Sequence, residues 1–282
     1  MTTGQAALYH EEFQAPGSTR ASSFYAAMRI MPPLQRSAMY AIYQYCRAID
    51  DIADEEGESE KRLHQLQQWR HHVEQIYVGN PPPSLQGLAK AISDFSLRKQ
   101  DMLAVIDGME MDVRGPIRAP DIFTLHLYCD RVACAVGRLS VCVFGMQEQD
   151  GLDLAHHLGL ALQLTNILRD LDEDAAIDRL YLPKGLLEEA GIHYTDPFQV
   201  LVDPAIALVC RELADKALAH FSEADLIMKR YERKHLRTPR IMSEAYRIIL
   251  ATLMERGFEP PRQPVRLSKI RLGYILVRNI LF

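Results

Sequence analysis

An all-α chain is what the sequence predicts, on three observations. Apolar residues recur at helical spacing over long stretches, convincing strand alternation is missing, and proline and glycine gather at intervals that punctuate helices. In order, the punctuation falls at "MPP" (31–33), "GNPPPS" (79–84), "RGPIRAP" (114–120), "LPKG" (182–185), the two "DP" pairs (196–197 and 203–204) and "PPRQP" (260–264). Between these points the chain reads as roughly eight to ten helices. No linker, low-complexity tract or repeat divides it, so residues 1–282 are expected to form one domain of helices packed around a shared interior. With 48% apolar residues, a chain of this length can bury a sizeable core.

Charge and composition remove several function classes. The net charge of −5 argues against nucleic acid as a partner, which calls for a basic face. The cysteines (Cys46, Cys129, Cys134, Cys142, Cys210) are odd in number, without a CxxC pair, and partly inside apolar runs; they read as buried free thiols in a reducing compartment. The opening "MTTGQAALYHEEFQAPG" lacks the basic-then-apolar pattern of a secretory signal. A cytoplasmic location is therefore expected. No apolar run approaches the roughly 20 residues of a membrane span. The last segment, "IRLGYILVRNILF", is short and interrupted by Arg271 and Arg278; it either docks on the bundle or lies on the inner membrane surface as a peripheral contact.

Two acidic stretches stand out. In "YQYCRAIDDIAD" (43–54), Tyr43, Arg47, Asp50 and Asp54 are spaced 4, 3 and 4, which at about 100° per residue puts them in one narrow arc, with Asp51 at its edge. Like charges at that spacing repel. A solvated acidic turn running on into "EEGES" is the plainer explanation of one such stretch. A hard, oxygen-seeking cation such as Mg²⁺, shared with a substrate phosphate, is the other. In "LALQLTNILRDLDEDA" (160–175), Gln163, Asn166, Asp170 and Asp174 are spaced 3, 4 and 4, beside an apolar stripe of Leu160, Leu164, Ile167 and Leu171. Amides and carboxylates along such a stripe suit a pocket wall. Asp172, Glu173 and Asp178 fall off this face and read as solvated. Two such helices facing each other through Mg²⁺ fit a clamp for a diphosphate leaving group. His126, His156 and His157 have no metal-ligand partner at convincing spacing and are given no role.

At this point the sequence resembles a known family. "SSFYAAMRIMP" (22–32), "AIYQYCRAIDDIAD" (41–54), "GMEMDV" (108–113), "YCDRVACAVG" (128–137), "LALQLTNILRDLDEDA" (160–175) and "RLYLP" (179–183) follow, in order, motifs of the squalene/phytoene synthase family of head-to-head prenyltransferases. The likeness runs from about Ser22 to about Arg271. It implies the all-α isoprenoid synthase fold: a helical bundle around a central cavity, with two facing Asp-rich helices. Carried over by position, it implies metal ligation by Asp50, Asp51, Asp54, Asn166, Asp170 and Asp174, with two or three Mg²⁺ ions bridging the diphosphate. Arg47 and Arg169 fit its diphosphate-contacting arginines, and Arg266 a C-terminal one by a looser alignment. Ser22, Ser23 and Phe24 fit the segment that closes over a substrate. Tyr43, Tyr128, Tyr181 and Tyr246 fit positions near the reacting carbons and phosphates, and Gln163 and Asn166 its amides. Ala133, Val136 and Gly137 fit small residues on a kinked helix where a prenyl tail needs room. Cys134 stands where glycine is common and is expected to narrow the tunnel locally.

Within the family, the opening and first acidic motif read closest to bacterial presqualene diphosphate synthases of the hopanoid route. The implied reaction joins two farnesyl diphosphates, without NADPH, and supplies a downstream squalene-forming enzyme. A tyrosine (Tyr43, Tyr128 or Tyr246) or the released pyrophosphate would take the proton. Phytoene or dehydrosqualene synthesis, and squalene synthesis completed by NADPH, are the alternatives. Head-to-tail elongation fits poorly because "NILRDLDED" is not a second DDxxD. A non-catalytic binder that shields prenyl lipids is the reading from outside enzymology.

Overall fold

The computed structural model describes residues 21–55 and 57–281, without the side chains of residues 21–23 and 281. It is helical almost throughout; the one β pairing among the described residues is an isolated bridge between Arg118 and Leu180. The helices are α1 (Ala21–Arg29), α2 (Pro33–Asp54), α3 (Ser59–Tyr77), α4 (Gln86–Phe95), α5 (Lys99–Arg114), α6 (Ile122–Cys129), α7 (Ala135–Phe144), α8 (Glu148–Arg169), α9 (Leu171–Ala176), α10 (Lys184–Glu189), α11 (Pro197–Val202), α12 (Ile206–Met228), α13 (Arg237–Arg256) and α14 (Lys269–Leu281). There are more of them than the punctuation suggests. Two long helical stretches are interrupted without any proline or glycine: by a π-helical segment, Asp130–Cys134, between α6 and α7, and by a break at Asp170 between α8 and α9.

Local chemistry sets the ends. α2 opens with Pro33 in its first turn, where the missing N–H has no helical partner to lose. α6 opens on Asp121, whose carboxylate accepts from the Thr124 N–H at 2.8 Å. α7 stops at Gly145, which takes the left-handed φ of +71° that a side chain disfavours.

The core has two lobes. One is built on α2–α5 and α7, around Met39, Ile42, Tyr45, Ile49, Met102 and Ile106. The other is built on α8, α12 and α13, around Leu164, Leu168, Leu213, Phe221 and Leu250. The buried carboxylate of Asp101 holds α5 to α7, accepting from Arg98 Nε at 2.8 Å and Arg138 Nε at 2.5 Å. α8 runs between the lobes and packs on both α7 and α12. The π-helical segment is clasped from both sides: a Cβ on Gly108 of α5 would stand 2.7 Å from Val132 Cγ1, and one on Gly159 of α8 only 2.8 Å from Cys134 Cα. π-segments of this kind re-aim side chains and cluster at functional sites; here Val132 reaches the central cavity.

Candidate active site

A cavity of about 1220 Å³ opens between the lobes. α2 supplies Arg47, Asp50, Ala53 and Asp54 to one wall; Gln163, Asn166, Ile167, Arg169, Asp170 and Asp174 supply the opposite one. α5 and the π-segment add Met109, Asp112, Val113 and Val132, an apolar patch around one carboxylate, and Tyr128, Tyr181, Arg179, Tyr246 and Arg266 are also in the lining. The two acidic motifs thus share a single hollow.

On the α2 wall, Arg47 Nη1 donates to Asp50 Oδ2 at 2.6 Å and its Nη2 to Asp51 Oδ1 at 2.5 Å. Burial and the neighbouring Asp54 nevertheless push the Asp50 carboxyl up from 3.8 to about 6, Arg47 offsetting only part of this. On the opposite wall, Arg169 donates to both oxygens of Asp170, Nε at 2.9 Å and Nη2 at 2.7 Å. Burial works against the Arg169 charge, but Asp170 and Tyr246 outweigh it and hold the guanidinium protonated.

A third group also lines the cavity: Tyr128 and Tyr181, already expected near the site, gathered on Asp112, which with Arg179 the sequence left unassigned. The Asp112 carboxylate accepts from Tyr181 Oη at 2.8 Å and Tyr128 Oη at 3.0 Å, and the two tyrosine rings stack with centroids 4.8 Å apart. Burial, and then Asp112 itself, drive both phenols well above their usual range. Arg179 reaches from this group to the α2 wall, Nε 3.9 Å from Asp112 Oδ1 and Nη1 3.5 Å from Asp54 Oδ1.

Several positions fall elsewhere than expected. Asp51 is turned to solvent beside Arg47, off the cavity wall. Tyr43 packs in the α2–α5 lobe, its ring 5.9 Å from Phe24, and burial raises its phenol; neither residue is in the wall. The side chains of Ser22 and Ser23 lie outside the described residues. Ala133, Val136 and Gly137 are not in the wall either. The space beside Gly137 is filled by α8, since a Cβ there would sit 3.1 Å from Ala155 Cα, so its smallness serves helix packing. Cys134 is fully buried against α8, its thiol 3.5 Å from the His156 carbonyl, and so does not narrow the cavity. Glu173 and Asp178 border the cavity yet stay in contact with solvent, as expected: Glu173 is exposed, and Asp178 is half exposed and paired with Arg118. Asp172 does face out, paired with Arg262 at 2.6 Å.

The donor set suits a hard cation. It is carboxylate and amide oxygen, and the buried Asn166 Oδ1 in the wall has no hydrogen-bond partner. Among the described residues no three acidic side chains converge into a cage. Oxygen donors of this kind are what Mg²⁺ takes, one or two carboxylates with water and phosphate at its remaining positions.

A helical bundle with two acid-and-arginine walls across one large, partly apolar cavity defines a class: an enzyme that grips diphosphate groups and acts on the hydrocarbon joined to them. Comparison with known proteins is more specific. The squalene/phytoene synthase family model matches residues 18–271. The chain is 53% identical over 260 residues to a presqualene diphosphate synthase of Sinorhizobium fredii, covering 92% of this chain and 93% of that one. It is 55% identical over 262 residues to one of Rhodopseudomonas palustris, covering 93% and 94%. Among solved structures, squalene synthase HpnC of Alicyclobacillus acidocaldarius superposes with a TM-score of 0.75 at 25% identity, covering 86% of this chain and 92% of that one. A dehydrosqualene synthase superposes at 0.76 and 23% identity, covering 92% and 90%, which speaks to the fold alone. The chain belongs to the squalene/phytoene synthase family and has the all-α isoprenoid synthase fold. It is a prenyltransferase.

Proposed function

We propose that this chain condenses two farnesyl diphosphates head to head into presqualene diphosphate, releasing pyrophosphate and feeding squalene and hopanoid synthesis. The observation that carries the reading is the single cavity walled on opposite sides by the two acidic motifs, in a chain more than half identical over most of its length to presqualene diphosphate synthases. At about 1220 Å³ it exceeds the roughly 300–1,000 Å³ of most ligand pockets, as two prenyl chains require.

Asp50, Asp54, Asn166, Asp170 and Asp174 are the residues placed to hold two or three Mg²⁺ ions; when bound, these neutralise the diphosphate charge. Arg47, Arg169 and Arg266 bind diphosphate oxygens. The C1–O bond of one substrate breaks and pyrophosphate leaves with the bonding pair. The allylic cation forms beside the apolar side chains of Met109, Val113, Val132 and Ile167. C1 bonds to C2 of the second substrate, a proton leaves C1, and closure onto C3 completes the cyclopropane. Tyr128 is an unsuitable base, since its phenol is held protonated and donates to Asp112. Released pyrophosphate takes the proton in this reading, and the tyrosine faces stabilise the cation.

Incubation with Mg²⁺ and either farnesyl or geranylgeranyl diphosphate, each with and without NADPH, tests the proposal. A C30 cyclopropyl diphosphate that accumulates from farnesyl diphosphate under both conditions supports it; squalene in the presence of NADPH, dehydrosqualene, or C40 phytoene overturns it.

For the C-terminal segment, α14 docks through Leu272, Ile275 and Asn279 and presents Ile270, Tyr274 and Val277 outward beside Lys269, Arg271 and Arg278. No described helix is long and apolar enough to cross a membrane. The outward face supports peripheral contact with an anionic membrane surface. Co-sedimentation with anionic vesicles that disappears in Ile270→Asp/Val277→Asp tests it, and equal sedimentation of variant and parent counts against it.

A further inference from the structure

Away from the cavity, three histidines meet on the flank where α8 packs on α12. His156 and His157 stand on α8, and His220 on α12. His157 Nδ1 lies 2.9 Å from His220 Nδ1. The ring centroids are 5.0 Å apart for His156 and His157, 5.2 Å for His157 and His220, and 5.9 Å for His156 and His220. One ring nitrogen from each lies within 4.8 Å of the others. The adjacent pair looks unpartnered in sequence because its third member arrives 63 residues after His157, on a different helix. His156 is 14 residues before Asp170 on α8, roughly 20 Å along the axis at about 1.5 Å per residue, so this cluster is separate from the diphosphate site.

The charged and titratable groups facing the cluster are His126 on α6, Asp130 in the π-segment, which is engaged by Arg138, and Asp153 on α8, which accepts from Gln149. A plain polar seam between two helices needs only the His157–His220 hydrogen bond. It gives no reason for a third, exposed imidazole to lean over the same point.

We propose that His156, His157 and His220 form a binding site for a divalent transition ion, with Zn²⁺ as the reference occupant and water at the fourth position. The ligand chemistry separates this ion from the Mg²⁺ of the cavity, because imidazole suits Zn²⁺, Ni²⁺ and Cu²⁺, whereas Mg²⁺ takes oxygen. Zn–N bonds of about 2.0–2.1 Å put tetrahedral nitrogens about 3.3 Å apart. The His157–His220 pair is already near that spacing, and His156, exposed and unencumbered by the core, closes the rest by a side-chain rotation. The ion joins α8, which carries the second acidic motif at its far end, to α12. It therefore stabilises the fold in proportion to its occupancy.

The test uses tag-free full-length protein stripped with EDTA, dialysed, and held in excess Mg²⁺ so that the acidic walls are occupied. Titration with ZnCl₂ is expected to show one ion per chain and a rise in melting temperature, and Co²⁺ to give the visible bands of a four-coordinate imidazole site. His220→Ala and His157→Ala are each expected to weaken binding about tenfold or more. His156→Ala, at an exposed position, keeps the test decisive should the other two fail to fold. Absence of saturable binding, or Zn²⁺ affinity unchanged in His156→Ala and His220→Ala, overturns the proposal.

Discussion

Replacing Asp50 with asparagine is expected to make the metal-free protein more stable while it destroys the reaction. The amide keeps the shape and can still accept from Arg47 but removes the charge. In the parent, burial and Asp54 raise the carboxyl from 3.8 to about 6, a shift of about 2 units. At about 1.4 kcal/mol per unit, that sets a ceiling near 3 kcal/mol on the strain of ionising it. The side chain is 38% exposed, so water screens much of this, and on the order of 1 kcal/mol is expected to remain. The sign follows from proton binding: between 3.8 and about 6 the folded state holds the proton more tightly than the unfolded one. The parent therefore has its full stability from this group below about 3.8 and loses it as pH rises through about 6. Urea unfolding in EDTA is the assay. Asp50→Asn should gain about 1 kcal/mol over the parent at pH 7.5, with the difference fading at pH 4. With Mg²⁺ and farnesyl diphosphate it should show no turnover. A variant less stable than the parent at pH 7.5, or a difference indifferent to pH, would refute the assignment of Asp50 to a crowded acidic wall.

Other substitutions probe the elements that hold the walls in place. Tyr181→Phe removes one of the two hydroxyls bonded to buried Asp112 and should lower stability by about 1.5–3 kcal/mol in urea unfolding, with a fall in turnover. Gly159→Ala drives a Cβ to within 2.8 Å of the Cys134 backbone and should cost about 1–3 kcal/mol, while Gly185→Ala, with nothing within 4 Å, serves as the neutral control. Asp101→Asn takes the carboxylate from Arg98 and leaves Arg138 with Asp130 alone, and should lower stability by about 1.5–3 kcal/mol, read as a drop in melting temperature.

How far the sequence carried the fold and the site depends on the physics at each residue. Helical periodicity and punctuation report local preferences, so the all-α architecture was legible, and 3-and-4 spacing put Asp50 with Asp54 and Asn166 with Asp170 on common faces. The break at Asp170 was hidden because nothing at that position forbids a helix; the break exists only in the tertiary structure. Asp112 and Arg179 lay inside "GMEMDV" and "RLYLP", but a lone carboxylate and a lone guanidinium carry no local signature until folding sets them among Tyr128, Tyr181 and Asp54. The smallness of Gly137 was visible and its cause was not, because a tunnel wall and a tight helix crossing ask for the same residue. The histidine cluster is the same case at longer range, assembled from two helices that only packing brings together.

The central claim is that both acidic walls act on one diphosphate. Calorimetric titration of inorganic pyrophosphate in the presence and absence of Mg²⁺, with Asp54→Asn for the first wall and Asp174→Asn for the second, tests it most directly. Binding is expected to require Mg²⁺ and to weaken about tenfold or more in each variant alone. Pyrophosphate affinity that is independent of Mg²⁺, or that survives the loss of either wall, would contradict it.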